Sequence, residues 1–277
     1  MVSRNVACVL TTYHSKLTTY SYSLLPTAYC LTMDSCELFI DSARPGVWNM
    51  SFDEALLRRA KSICRFYQWN SPTVSLGYFQ QPERNPLTCS TVRSTTGGGA
   101  IVHDNELTYS IVFPAHSKQY EWGSDLYGIV HQSLISVLRS IGVEAKTALD
   151  DPPTREKDKP FLCFERRSRY DIVLTDETGK EYKITGSAQR RTQEAVLQHG
   201  SILLDKSSVW TELLGINDLV KLPEPLTTAR LIELWTPILA TALDVNFVPI
   251  DYPNDVDEKS VADIAKEKYG NPDWKRK

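Results

Sequence analysis

A chain of 277 residues with 42% hydrophobic and 23% charged side chains can bury one sizeable core, which excludes disorder throughout. A formal charge of −3 and a pI near 6.0 give no overall basis for nucleic-acid binding, and no stretch approaches the ~18 uninterrupted apolar residues of a membrane span. Six cysteines without a CxxC pair and five dispersed histidines without ligand spacing predict reduced thiols in a cytoplasm and no structural metal.

Residues 1–32 contain no Asp or Glu and are rich in Ser, Thr and Tyr. A targeting segment, a tail, or an upstream extension of a start at Met33 each fit, although Val6 to Leu10 is too short an apolar run for a secretory signal. The composition favours the tail or the mis-assigned start, so 1–36 is read as an extension and 37–277 as one domain. A strand at 37–41 opens that domain. Asn49 or Ser51 is placed to cap a helix through about residue 62, with Phe52, Leu56 and Ile63 on one face. Short strands follow at 65–69, 73–76 and around Val92, divided by Pro72, Gly77 and Pro82. After Gly97, Gly98 and Gly99 comes the alternating run 107–113. Leu126, Ile129, Val130, Leu134, Val137, Leu138 and Ile141 recur at helical spacing, which predicts a core-facing helix over 125–141 that Gly142 stops. Residues 149–160 are polar and Pro-rich and read as an exposed loop. Strands are predicted at 169–174, 180–187 and 195–204, the first two joined by the turn Asp176-Glu177-Thr178-Gly179, and helices at 207–213, 227–243 and 257–268. Runs of strands with helices added in turn imply an α+β fold, with helices packed against a largely antiparallel mixed sheet.

The glycine triplet is the most informative stretch. Three residues without Cβ atoms let a ligand lie against backbone amides, whereas a bulged hairpin needs only one or two. No Gly-Lys-Ser/Thr follows and a strand comes next, so it is neither a P-loop nor a dinucleotide fingerprint. Cys163 ends the apolar run from Phe161 at a loop exit, with Lys159, Arg166 and Arg167 near in sequence; cationic neighbours favour a thiolate, and the competing reading is a small buried hydrophobe. Alternation sends Lys183 and Thr185 to one face of a strand, where Lys183 is either functional or an edge-strand gatekeeper. His103 and His199 each follow an apolar strand and suit acid–base work or a structural hydrogen bond equally. Asp104 is suited to capping a turn and Asp171 to closing a polar site. Arg190 and Arg191 suit a solvated hairpin tip or, more sharply, a contact for an acidic domain.

Arg93, the three glycines, Ala100, His103, Asp104 and Ser110 together resemble the signature of the lipoate-protein ligase and octanoyltransferase family, which shares a catalytic module with biotin ligases. Further motifs follow in the family's order: Pro72 to Tyr78, Cys163-Phe164 ahead of Tyr170-Asp171, and Lys183-Ile184-Thr185-Gly186-Ser187-Ala188 followed by Leu197 to Leu204. Ser94 stands where the family usually has a second arginine, and the Gly-Arg-Gly-Arg run of biotin ligases is absent. The resemblance implies Cys163 as nucleophile and Lys183 at the acyl carbonyl. It also implies substrate contacts from Arg93, Thr95, Gly97, Gly98, Gly99, His103, Gly186, Ser187, Ala188 and His199. The implied reaction moves an octanoyl (or lipoyl) group from an acyl-carrier-protein thioester through Cys163 to a lysine of a lipoyl-domain protein, such as the glycine-cleavage H protein or a 2-oxoacid dehydrogenase E2. It needs no cofactor and no nucleic-acid or membrane partner. The alternatives are a ligase using ATP and Mg2+ through a lipoyl-adenylate, and a non-catalytic lipoyl-binding module. Cys163, and the absence of a separate accessory domain after Val248, favour the transferase.

Overall fold

The computed structural model describes residues 33–150 and 160–276. The extension, through residue 32, and the Pro-rich loop at 151–159 therefore lie outside the described residues. In chain order the elements are β1 (Asp34–Ile40), α1 (Gly46–Arg59), β2 (Ile63–Tyr67), β3 (Thr73–Leu76), β4 (Ser90–Arg93), β5 (Ile101–His103), β6 (Glu106–Pro114), α2 (Lys118–Glu121), α3 (Asp125–Ser140) and β7 (Lys146–Thr147). They continue with β8 (Ile172–Thr175), β9 (Glu181–Arg191), β10 (Ala195–Leu203), α4 (Ile216–Leu219), α5 (Thr228–Leu243), β11 (Val245–Ile250), α6 (Glu258–Ile264) and α7 (Pro272–Arg276). Among the described residues, an eight-stranded sheet has the order β11-β1-β2-β6-β10-β9-β8-β7, and a three-stranded sheet the order β4-β3-β5. In the large sheet β1 runs parallel to β11 and β2, and all other neighbours are antiparallel. This is the expected α+β architecture. Among the described residues, no helix is long and apolar enough to cross a membrane.

Alternation along β6 and β10 decides which face each side chain takes. Leu107, Tyr109, Ile111 and Phe113, with Val196 and Ile202, pack against α3 and α5 through Leu126, Val130, Leu134, Trp235 and Leu239. The opposite face changes character along its length. Val112, Ala195 and Leu197 take the apolar side of α1, made by Phe52, Leu56 and Leu57. Further along, the same face carries Glu106, Thr108, Ser110, His199 and Ser201, and there the small sheet packs over it, with Leu203 against Val74, Leu76 and Val102. The polar groups of this stretch are bonded to one another and to the small sheet, Glu106 to His103 at 2.7 Å and to Thr108 at 2.6 Å, and the cavity lies beside them.

Local chemistry moved several predicted boundaries. The first helix begins at Gly46, a turn ahead of Asn49, because Pro45 sits extended at its entrance and pre-sets the backbone. Asn49 is then buried inside the helix and gives its amide to the carbonyls of Arg44 and Gln68. The predicted helix at 207–213 does not form. Ser207 Oγ takes the amides of Val209 and Trp210 instead, and the segment closes through Ser207 N to Leu213 O, so side-chain bonds outcompete a helical ladder. Around Cys163 the apolar run makes one bridge, Leu162 to Ala100, and then a 3-10 turn over Cys163–Glu165 where a strand end was expected.

Candidate active site

Between the polar stretch of the large sheet and the small sheet lies a narrow cavity of about 50 Å3. Tyr67, Thr108 and Ser201 contribute from the large sheet, Ser75 and His103 from the small one and Met50 from α1; the three glycines and Cys163 also line it. Gly98 has φ +102°, a conformation that L side chains resist. A Cβ at Gly77 would lie 2.2 Å from the Gly98 carbonyl oxygen, and one at Gly99 would lie 2.9 Å from both N and Cα of Cys163. The loop is thus pressed between the end of β3 and the cysteine. Gly97 and Gly98 have nothing within 4 Å of a Cβ position, so their backbone is bare toward the cavity they line. Ala100 N to Phe161 O at 3.1 Å and Cys163 N to Ala100 O at 2.6 Å stitch the cysteine segment to the loop.

Cys163 and Lys183 meet. Lys183 Nζ lies 3.4 Å from Cys163 Sγ, 3.1 Å from the Cys163 carbonyl oxygen and 2.7 Å from Asp171. Lys183 is buried on an interior strand, paired through β9 to both β8 and β10, so the edge-strand reading does not apply. The β8–β9 register shifts at Ile172 and Val173, which face Thr185 and Lys183; a bulge beside a site re-aims side chains in this way. The side chain then passes over Gly186, where a Cβ would come within 2.7 Å of Lys183 Cε. Burial, the largest single influence, opposes the Lys183 charge, but the Cys163 thiolate and then the Asp171 carboxylate outweigh it and hold the pKa above the ordinary lysine value. Lys183 is therefore an ammonium, a counter-ion for a thiolate or an oxyanion.

His103 lines the cavity but is fully engaged. Its Nδ1 meets Glu106 at 2.7 Å, its Nε2 meets Ser75 Oγ at 2.7 Å, and the Trp69 ring stacks on it at 3.9 Å. His199 bridges Thr96 Oγ1 at 3.0 Å and Asp53 at 3.4 Å. Burial pushes the Asp53 pKa upward, yet the bond from His199, with Arg65 and Tyr67, brings it below the ordinary carboxylate value. Ser187 and Ala188 line the cavity directly, whereas Gly186 makes room for Lys183. Thr95 faces a separate cleft with Glu54, Arg58, Arg190 and Lys268, while its neighbours Ser94 and Thr96 turn into the cavity. Asp104 caps the Ser207-Ser208 turn, and the exposed Arg190 reaches the Thr95 carbonyl at 3.4 Å. Among the described residues, no group of three or more His, Cys, Asp or Glu is placed to share a metal ion.

Arg93 does not enter the cavity. Its guanidinium is spent on carbonyls: those of Gly77, Tyr78 and Gln80 at 2.8 to 3.0 Å and those of Trp274 and Lys275 on α7, while Trp274 Nε1 returns a bond to the Arg93 carbonyl at 3.0 Å. The expected substrate contact is replaced by a clamp that holds the turn against which Gly98 rests. Arg93→Ala is expected to cost about 3 kcal/mol, because several buried carbonyls lose a charged donor at once. Arg93→Lys should recover little, since an ammonium cannot reproduce the fork. Urea melts measure both; a lysine variant of normal stability but raised substrate KM would return Arg93 to the substrate.

Ser75, Ser94, Thr96, Thr108 and Ser201 were missed as cavity residues. The signal was present in β6 and β10, where Thr108 and Ser110, and His199 and Ser201, put polar groups two apart on a face that otherwise carries Val112 and Leu197.

A glycine loop and a thiol–ammonium pair around a cavity on a mixed sheet make an α+β catalytic domain. The chain belongs to the Lipoyl protein ligase A/B catalytic domain family, which it matches over residues 45–218. It is similar to Octanoyltransferase LipM of Bacillus anthracis, 31% identical over 271 residues that span 83% of this chain and 94% of that protein. It is also similar to Octanoyltransferase LipM of Bacillus subtilis (strain 168), 29% identical over 281 residues, 86% of this chain and 97% of the relative. Among solved structures, a lipoate-protein ligase A bound with ATP has TM-score 0.68 at 21% identity, covering 87% of this chain and 98% of that one. A bi-partite lipoate protein ligase from Thermoplasma acidophilum has TM-score 0.67 at 19% identity, covering 88% and 96%. These two share the fold.

Proposed function

We propose that this protein is an octanoyltransferase of protein lipoylation. It takes an octanoyl group from an acyl-carrier-protein thioester onto Cys163 and passes it to a lysine of a lipoyl-domain protein, such as the glycine-cleavage H protein or a 2-oxoacid dehydrogenase E2. The observation that carries this reading is the pairing of Cys163 with the buried Lys183 ammonium at 3.4 Å, beside a cavity roofed by bare glycine backbone.

The Cys163 thiolate, paired with Lys183, attacks the thioester carbonyl carbon; the new S–C bond forms as the carrier's sulfur departs with its electron pair and takes a proton from solvent. The tetrahedral oxyanion is met by Lys183 and by exposed amides of the glycine loop. In the second half the neutral acceptor amine attacks the same carbon, the C–Sγ bond breaks, the proton shed by the nitrogen passes to solvent, and Cys163 returns as a thiolate beside Lys183. Acyl activation comes from the thioester, so ATP has no part.

Purified protein given octanoyl-carrier protein and a lipoyl domain without ATP is expected to acylate the lysine, read by intact-mass spectrometry. Acylation only with free octanoate or lipoate plus Mg-ATP would replace this reading with the ligase. No transfer under either condition would leave a binding module.

A further inference from the structure

Thr95 and Arg190 have no part in the chemistry above, yet both line one cleft of about 270 Å3, together with Arg58 and Lys268. The cleft also holds two carboxylates. Glu54 is taken up by its neighbours, accepting from Arg58, from Lys268 and from Tyr269 at 2.7 Å, while Glu194 sits on the exposed turn that joins β9 to β10. Arg190 is not neutralised in this way. Among the described residues it pairs with no carboxylate, and its guanidinium reaches only the Thr95 carbonyl, at 3.4 Å.

Strand register fixes how far this cleft lies from the thiol. Gly186 pairs with Ser201, Ala188 with His199 and Arg190 with Leu197, so Gly186, Ala188 and Arg190 stand in file on the face of β9 that looks toward the cavity. At one end of the file the Lys183 side chain crosses Gly186 and meets Cys163 Sγ at 3.4 Å. Ala188 lines the cavity, and Arg190 at the other end lines the cleft. From Gly186 to Arg190 the strand advances about 13 Å at the usual rise per residue. Gly97 and Gly98 are exposed, so the cavity opens at the loop that Thr95 leads into. The thioester of a carrier protein is borne on a phosphopantetheine arm. Roughly a dozen bonds separate its sulfur from its phosphorus, and at the ~1.2 Å advance per bond of an extended chain they span about 15 Å. With the thioester carbonyl at Cys163, an extended arm laid along β9 brings its phosphate to the level of Arg190. That phosphate is the one charged group of the arm, and a guanidinium without a carboxylate is its natural partner.

We propose that the cleft between Thr95 and Arg190 is the phosphate site of the thioester donor, with Arg190 as its principal cation, an inference that rests on the acyl-enzyme reading. Arg58 and Lys268 hold Glu54 and keep its charge from cancelling that of Arg190. The anchored phosphate sets the arm in line with the cavity mouth, so that the octanoyl carbonyl arrives at Cys163 and the chain beyond it enters the cavity.

The test uses donors that lack a carrier domain. Loading of Cys163 is timed by intact-mass spectrometry with S-octanoyl pantetheine and with S-octanoyl phosphopantetheine methyl ester, whose phosphodiester bears the single charge it has on the carrier. At low donor concentration the phosphodiester is expected to load about tenfold faster, the scale of one hydrogen bond to a charged group. Arg190 is exposed, so its replacement leaves the fold in place. In Arg190→Ala the two donors should load within about twofold of each other, and Arg190→Lys should keep part of the difference. Equal loading of both donors by the unsubstituted protein, or a phosphodiester advantage that survives in Arg190→Ala, would overturn the phosphate site while leaving the acyl-enzyme intact. A loss in Arg190→Ala confined to octanoyl-carrier protein would make the cleft a contact for the folded carrier and overturn the phosphate site as well. Coenzyme A bears the same arm; octanoyl-carrier protein is expected to load faster than octanoyl-coenzyme A, and the reverse order would overturn the carrier as the source of the phosphate. Absence of a Cys163 adduct from every donor would overturn the acyl-enzyme reading, and the phosphate site with it.

Discussion

Cys163→Ser is expected to lower octanoyl transfer by on the order of 10^4 or more, the scale on which removing a nucleophile acts. The substitution keeps the volume beside Gly99 and the backbone bond from Cys163 N to Ala100 O, so the fold has no reason to change. What it removes is an atom that an ammonium at 3.4 Å can hold as an anion; a serine hydroxyl is too weak an acid for the same counter-ion to ionise it. The other described cysteines offer no substitute. Burial pushes the thiols of Cys36 and Cys64 far up, and burial also raises Cys89, so serine or alanine at those positions should alter stability alone. Turnover assays alongside mass spectrometry of the trapped adduct check both halves of the claim. A serine variant with full turnover, or an adduct on another residue, would remove Cys163 from the chemistry.

How far the sequence reached depends on whether a residue's role is set by its own neighbours or by distant partners. The 3.6-residue spacing of Leu126 to Leu138 fixed α3, and Gly142 ended it at φ +85°, because helix burial and termination are written in adjacent positions. The glycine triplet was equally legible, since three missing Cβ atoms in a row have few structural uses. Arg93 was not. Its partners on α7 lie about 180 residues away, and a buried arginine that serves carbonyls looks in sequence like one that serves an anion. Thr95 turned away from the cavity, with Ser94 and Thr96 facing it, for a related reason: which of two neighbours faces inward just past β4 depends on the sheet that β4 joins, which could not be read locally. His131 gave a fainter signal, one polar residue among the apolar positions of a core-facing helix. Such a residue must have a buried partner, but nothing nearby in sequence says that the partner is Ser187.

Lys183→Ala is expected to slow transfer by about two to three powers of ten, the usual cost of removing one donor from a developing oxyanion. It should also cost stability. The ammonium is buried against Asp171 at 2.7 Å, and deleting it leaves a buried carboxylate whose remaining bond is to the Ser168 amide, a loss of about 3 kcal/mol by comparison with other broken buried pairs. The two effects separate in the Lys183→Met/Asp171→Asn double variant, which removes both charges: stability should largely return and transfer should not. The sign of the pH dependence follows from the raised Lys183 pKa. The stabilisation is present at every pH below the unfolded lysine value and is lost only as pH rises through the higher folded value, so between pH 6 and about 9 the pair is intact and any change in rate belongs to other groups. Thermal melts and single-turnover transfer over that window measure both predictions. A double variant that regains transfer along with stability would make Lys183 a structural residue of β9, and an alanine variant of ordinary turnover would remove it from the oxyanion.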